Sequence, residues 1–106
     1  QIKSGVCTKN FPQLISKFGE WEMNYDSIMT SFNKSGYLMN PSRKECEKSL
    51  ENYNGHVLAM NLFAGGLYSL DETAKYVESL PKIKNIVIGL SSTKHAKETF
   101  DRFINK

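Results

Sequence analysis

No apolar run in the 106-residue sequence approaches the ~20 residues that a helix needs to cross a bilayer. The opening Gln1-Ile2-Lys3-Ser4-Gly5 has neither the apolar core nor the cleavage pattern of a secretory signal. These absences predict a soluble, cytoplasmic protein with no membrane partner. Cysteine is scarce: Cys7 and Cys46 sit in unrelated contexts without metal-ligand spacing. That scarcity excludes a disulfide framework and points to a reducing compartment, with both residues as free thiols. Basic charge is not concentrated either. The net charge is only +3, and the fourteen Lys and Arg are mixed with acids in every segment, so no arm or stripe offers itself to nucleic acid. No pair of carboxylates is placed for acid–base work: Asp26 opens an expected strand and Asp71 sits in an expected first helical turn. What remains is 40% hydrophobic and 24% charged residues, the balance of an ordinary globular chain, enough for one modest domain over residues 1–106. The first residue is Gln and a strand is expected almost at once, a start that an upstream segment, trimming or disorder would each produce.

Short apolar, β-branched runs recur at Ile2 to Thr8, Asp26 to Phe32, His56 to Leu62 and Asn85 to Leu90, their starts roughly 24 to 30 residues apart. Between them the apolar residues fall at helical spacing: Phe11, Leu14, Ile15, Phe18; Cys46, Leu50, Tyr53; Leu70, Ala74, Tyr76, Val77, Leu80; Ala96, Phe100, Phe103, Ile104. Each expected helix has a start signal, because a side-chain oxygen at the cap satisfies amides that the first turn cannot. Asn10 precedes Pro12, Ser42 stands three before Glu45, Ser69 three before Glu72, and Ser92 or Thr93 caps the last helix. Gly19, Asn54-Gly55 and Pro81 are the expected stops. The order βαβαβαβα implies an α/β fold with a parallel sheet and crossover helices. An open doubly wound sheet and half of a (β/α)8 barrel both fit this pattern. In either case four strands leave two raw edges, which another chain or another half must cover.

In parallel α/β folds, ligands collect at the C-terminal ends of the strands, where helix N-termini present free amides. Two loops there are informative. Asn61-Leu62-Phe63-Ala64-Gly65-Gly66-Leu67 places adjacent glycines just after a strand, for close ligand approach or simply for a turn. Gly89-Leu90-Ser91-Ser92-Thr93-Lys94-His95 supplies a glycine, three hydroxyls and a cation as a helix begins, for anion binding or simply for capping. Together they make a candidate phosphate cradle where an eight-stranded barrel commonly binds phosphate.

The stretch from Asn85 to Phe100 resembles the last strand and cofactor helix of aldo/keto reductases, whose pattern Gly-x-Ser-Ser-x-x-His-x-x-Glu-Asn is met at Gly89, Ser91, Ser92, His95 and Glu98. His56 to Gly66 is similar to that family's seventh strand and glycine loop, Gly5 to Phe11 to its fifth strand, and Asp26 to Asn33 stands as the sixth. The resemblance implies a TIM barrel of which this chain is the C-terminal (βα)4 half, and NAD(P)H-dependent oxidoreductase activity with NADP as cofactor. It puts Ser91 and Ser92 at the cofactor phosphate, His95 at the 2′-phosphate or adenosine and Glu98 at the adenine. Thr8 and Asn10 fall beside the nicotinamide, and Gly65 and Gly66 line the pyrophosphate. Three places depart from the family: Thr99 stands for its Asn, Lys9 interrupts the fifth-strand motif, and Asn33-Lys34-Ser35-Gly36-Tyr37 replaces the sixth-strand loop. The family's catalytic Asp, Tyr, Lys and His belong to strands outside this chain, so no catalytic residue is assigned. The expected partners are a phosphorylated small molecule or dinucleotide, and an N-terminal half-barrel or a homo-oligomer.

The remaining candidates read as structural. Cys7 is expected as a small buried hydrophobe; Trp21, Tyr25 and Phe32 as packing; Met23, Met29, Met39 and Met60 as core filling; His56 as structural, at the end remote from ligand; Lys34 and Tyr37 as a solvated loop.

Overall fold

The computed structural model describes residues 2–23 and 25–104. Its elements are β1 (Gly5–Thr8), α1 (Phe11–Trp21), β2 (Ser27–Ser31), α2 (Arg43–Asn52), β3 (Val57–Met60), α3 (Leu70–Glu78), β4 (Asn85–Ile86) and α4 (Thr93–Ile104). All four strands are parallel in one sheet of order β1-β2-β3-β4. The order follows the chain without reversal, so there is no topological switch point of the doubly wound kind. The arrangement is half-barrel-like, with successive crossovers of one hand laying the helices on one face.

Alternation decides which face that is. Ile28, Thr30, Val57 and Ala59 are buried, and Val6 and Ile86 pack against the same core. Phe11, Phe18, Cys46, Leu50 and Tyr76 cover them from α1, α2 and α3. Helices hold to one another through specific pairs. Tyr76 Oη donates to Glu47 Oε2 at 2.5 Å, joining α3 to α2, and Arg102 reaches Glu78 and Asp71 at 2.6 and 3.4 Å, joining α4 to α3. Among the described residues the other face, with Cys7, Met29, Leu58, Met60 and Val87, carries no helix.

The caps form where the spacing placed them. Asn10 Oδ1 accepts from the Gln13 amide, Ser42 Oγ from Glu45 and Ser69 Oγ from Glu72. Only at Ser69 does the acid reach back to complete the box. Four readings are corrected. Gly19 does not stop α1, which runs on to Trp21 and ends at Glu22 in the left-handed region (φ 53°), where a cap amide bonds the Phe18 carbonyl. Cys7 is exposed on the open face rather than buried, since its strand parity opposes that of Val6. Of the methionines expected in the core only Met39 is there; Met23 and Trp21 are exposed, and Met29 and Met60 lie half-covered on the open face. The strands are also shorter than their apolar runs. β4 stops after two residues because β3 turns away at Asn61, leaving Ile88 to Leu90 no ladder beyond the Val87 amide bond to Ala59. No helix among the described residues is long and apolar enough to cross a membrane.

Cys46, buried against α1 and donating to the Asn40 carbonyl at 3.3 Å, is a titratable group that the fold holds neutral. Burial pushes its thiol from 9.0 up to about 11. Its contribution is therefore intact below pH 9.0 and is lost between pH 9.0 and about 11, where the unfolded chain ionises first. Urea melts at rising pH should show wild type losing stability across that interval more steeply than Cys46→Ala; equal slopes would refute the assignment.

Candidate functional site

The C-terminal ends of β3 and β4 build one cleft. After Met60 the chain enters the left-handed region at Asn61 (φ 56°), returns to it at Ala64 (51°), and stays there through Gly65 (72°) and Gly66 (90°). The turn is closed by Ala64 N–H to the Asn61 carbonyl at 3.1 Å, and by Gly66 and Tyr68 N–H to the Phe63 carbonyl at 3.1 and 3.3 Å. Nothing lies within 4 Å of a Cβ built at Gly65 or Gly66, so backbone conformation, not crowding, calls for glycine there. The glycine pair thus turns the chain, and its exposed backbone also borders the cleft.

Opposite stands the start of α4. Ser92 Oγ accepts from the His95 amide at 3.1 Å, fixing the first turn, and Ser91 Oγ lies 3.2 Å from His95 Nδ1. The amides of Thr93 and Lys94 belong to the first turn, which a helix cannot satisfy internally, and the helix dipole adds partial positive charge there. Between loop and helix lies a cleft of about 440 Å³ walled by Phe63, Gly66, Tyr68, Leu90, His95 and Glu98, with Gly89 and Thr99 also on its lining. A second hollow of about 320 Å³ adjoins it through Phe63, Gly66 and Gly89 and reaches Gly65 and Val87. The lining of the larger cleft sets Phe63, Leu90 and the Tyr68 ring beside the polar groups of His95, Glu98 and Thr99.

The structure therefore gathers Gly65, Gly66, His95 and Glu98 around connected hollows, with Ser91 and Ser92 at the adjoining helix start. Thr8 and Asn10 do not join them. Thr8 is in register with Thr30, Ala59 and Ile86, three strand spacings or about 14 Å from β4. Its Oγ1 accepts from the Asn10 amide at 3.0 Å, and Asn10 Oδ1 accepts from Gln13 at 3.1 Å, so both side chains serve the entry to α1.

Beneath the rim is a polar network that spacing did not reveal. Asn33 is fully buried; its Nδ2 donates to the Tyr37 and Asn61 carbonyls at 2.8 and 3.1 Å, and its Oδ1 accepts from Tyr37 N–H and Ser35 Oγ. Asn61 Nδ2 donates in turn to Ser31 Oγ at 2.7 Å. The β2 loop is thereby tied to the first residue of the glycine loop. The one available signal was a polar residue directly after an apolar strand, which reads equally as an ordinary loop. Tyr37 is exposed, as expected, and Lys34 sits 5.6 Å from the Tyr68 ring. Among the described residues no group of three or more His, Cys, Asp or Glu is placed to hold a metal ion.

Compared with known proteins, the chain matches no family model, no curated protein and no solved structure.

Proposed function

We propose that this chain is the cofactor-side half of an aldo/keto reductase-like barrel, holding the phosphate-bearing end of NADP(H) at the β3–β4 rim and carrying no hydride-transfer machinery of its own. The observation that carries this reading is the convergence of Gly66, Gly89, His95 and Glu98 on one cleft at the strand ends beside the start of α4. Each group has a chemical task. Hydroxyls of Ser91 and Ser92 and the unpaired first-turn amides donate to phosphate oxygens, and the Lys94 ammonium balances their charge. His95 can donate from its ring to a 2′-phosphate. Glu98, an acceptor, repels phosphate and suits the exocyclic amine of adenine instead. Thr99, which replaces the Asn of the resembled pattern, is buried on the cleft lining, so Glu98 carries adenine recognition.

One observation favours a second reading, another phosphorylated ligand in the same cradle. Thr8 and Asn10, which would meet the nicotinamide, each turn a side-chain oxygen to a backbone amide at the entry to α1. Amide-resolved NMR titrations of the chain with NADPH, 2′,5′-ADP and inorganic phosphate separate the two. On the dinucleotide reading, NADPH and 2′,5′-ADP shift the amides of Gly66, Gly89 and Ser92 to Glu98 with a Kd near or below about 1 mM, and His95→Ala weakens both at least about threefold. Shifts with phosphate but none with either nucleotide would leave only the second reading. Silence with all three ends both.

A further inference from the structure

Among the described residues nothing partners one face of the sheet or either of its outer edges, and the chain as a whole exposes more surface than a compact one of its mass. Its solvent-accessible area is 7024 Å² for a mass of 12.1 kDa, against about 6,000 Å² for a compact folded chain of that mass. The radius of gyration, 14.2 Å, likewise exceeds the about 13 Å of a compact domain. An excess of roughly 1,000 Å² per chain is roughly 2,000 Å² for two, at the upper end of ordinary stable interfaces and where obligate homodimers begin. The open face mixes apolar side chains with the small or polar Gly5, Ser27, Ser31 and Asn85. Cys7, Met29, Leu58, Met60 and Val87 line the open face, and a hollow of about 270 Å³ lies between Cys7, Met29 and Leu58. At the flanks of the helix layer, Trp21 on α1 is 57% exposed, and Phe100 and Ile104 on α4 are 48% and 69% exposed.

We propose that a second copy of this chain closes the open face, β4 of each copy pairing in parallel with β1 of the other about a two-fold axis along the strands. Symmetry makes this occupant fit. Rotation about an axis parallel to the strands preserves strand direction, so both raw edges find parallel partners in one operation and no edge is left over. Four strands from each copy make eight, the number whose interior side chains just fill a barrel. The strand positions of the open face carry no charge, so bringing a face against its own copy buries no like charges. The same rotation brings α4 beside the partner's α1, covering Phe100 and Ile104 on one side and Trp21 on the other. A second copy takes the face that a catalytic half of a reductase barrel would take, so this inference stands on the sheet and not on the dinucleotide reading: a dimer blind to nucleotides leaves it standing, and a monomer that binds NADPH removes it.

The test is sedimentation equilibrium of the full chain across concentration, with far-ultraviolet circular dichroism of each variant. The expected mass is twice 12.1 kDa at high concentration, with the urea midpoint rising as concentration rises. Leu58→Glu places a charge at the centre of the closed face and should weaken the dimer at least about tenfold, whereas Lys48→Glu on the exposed side of α2 should leave it unchanged. If Leu58→Glu does not fold, Val87→Lys, at an already exposed position, supplies the charge instead. Alkylation of Cys7 should slow as the dimer fills. A chain that stays monomeric overturns the proposal and leaves the face to a different set of strands; so does a dimer that ignores both charged variants, or one in which Cys7 reacts at an unchanged rate.

Discussion

Asn33→Ala should lower the unfolding free energy by about 3 kcal/mol, with the denaturant slope unchanged. The figure follows from what the side chain does. It makes four hydrogen bonds, to Tyr37 N–H and carbonyl, the Asn61 carbonyl and Ser35 Oγ, from a fully buried position. A net bond is worth about 1 kcal/mol, and each partner left dry and unpaired costs more than the bond was worth. Water entering the vacated space offsets part of this. The loss should spread to the rim, because the Asn61 carbonyl that Asn33 holds also closes the glycine turn through Ala64. Hydrogen exchange at Gly66 and Tyr68 should therefore quicken in the variant more than exchange in α3. Asn33→Asp is the sharper control: it keeps the acceptor for Tyr37 and Ser35 and loses both donors, and it sets a carboxylate against two carbonyls. A loss below about 1 kcal/mol for either variant would mean that the network is ornamental.

The architecture was readable because each level repeats the same message. Four apolar runs, four helical spacings and four cap residues stand in register, and a cap such as Ser69 works through a bond to its own third neighbour, which needs no tertiary context. Features set by tertiary context were not readable. Gly19 looks like a stop, yet α1 continues to Trp21 because the bond of its cap to the Phe18 carbonyl outweighs glycine's local preference, a cost of about 1 kcal/mol. Cys7 and Val6 are adjacent small residues of one strand; which of them faces the helices depends on register, and register depends on the neighbouring strand. The methionines fail for the same reason. Met29 and Met60 are apolar enough for a core, but no helix among the described residues lies over their face of the sheet.

The site divides along the same line. Gly66, His95 and Glu98 come together because each lies within a few residues of a strand end or a helix start, positions that the parallel fold brings to one rim. Thr8 and Asn10 stand at the C-terminal end of β1, on the same rim but three strands from β4 and outside the cleft. Asn33 announces nothing, since burial of a loop residue is a property of the loop's path. Thr73, buried with no partner for its hydroxyl among the described residues, is likewise invisible to spacing.

Phe11→Ala should be the most damaging single truncation, costing about 3–5 kcal/mol. Phe11 is the first residue of α1 and fully buried, its ring edge-on to Phe32 at 6.0 Å and to Tyr53 at 5.6 Å. One ring therefore joins the start of the first helix to the end of β2 and the exit of α2, three segments that share no backbone ladder. Removing it leaves a cavity that Phe32 cannot fill, because its own backbone is held by a bond from its amide to the Met60 carbonyl. A chain of this length has about 5–15 kcal/mol of stability in all, and a single copy, with one sheet face uncovered, lies toward the lower end of that range. The variant should thus be largely unfolded near body temperature, or compact with helical circular dichroism and no cooperative transition. Phe11→Leu, which refills most of the volume, should recover more than half of the loss. If Phe11→Ala instead melts cooperatively within a few degrees of wild type, α1 is not pinned to the sheet through this ring, and the core runs through Phe18 and Tyr25, whose rings lie 5.2 Å apart at the other end of the helix.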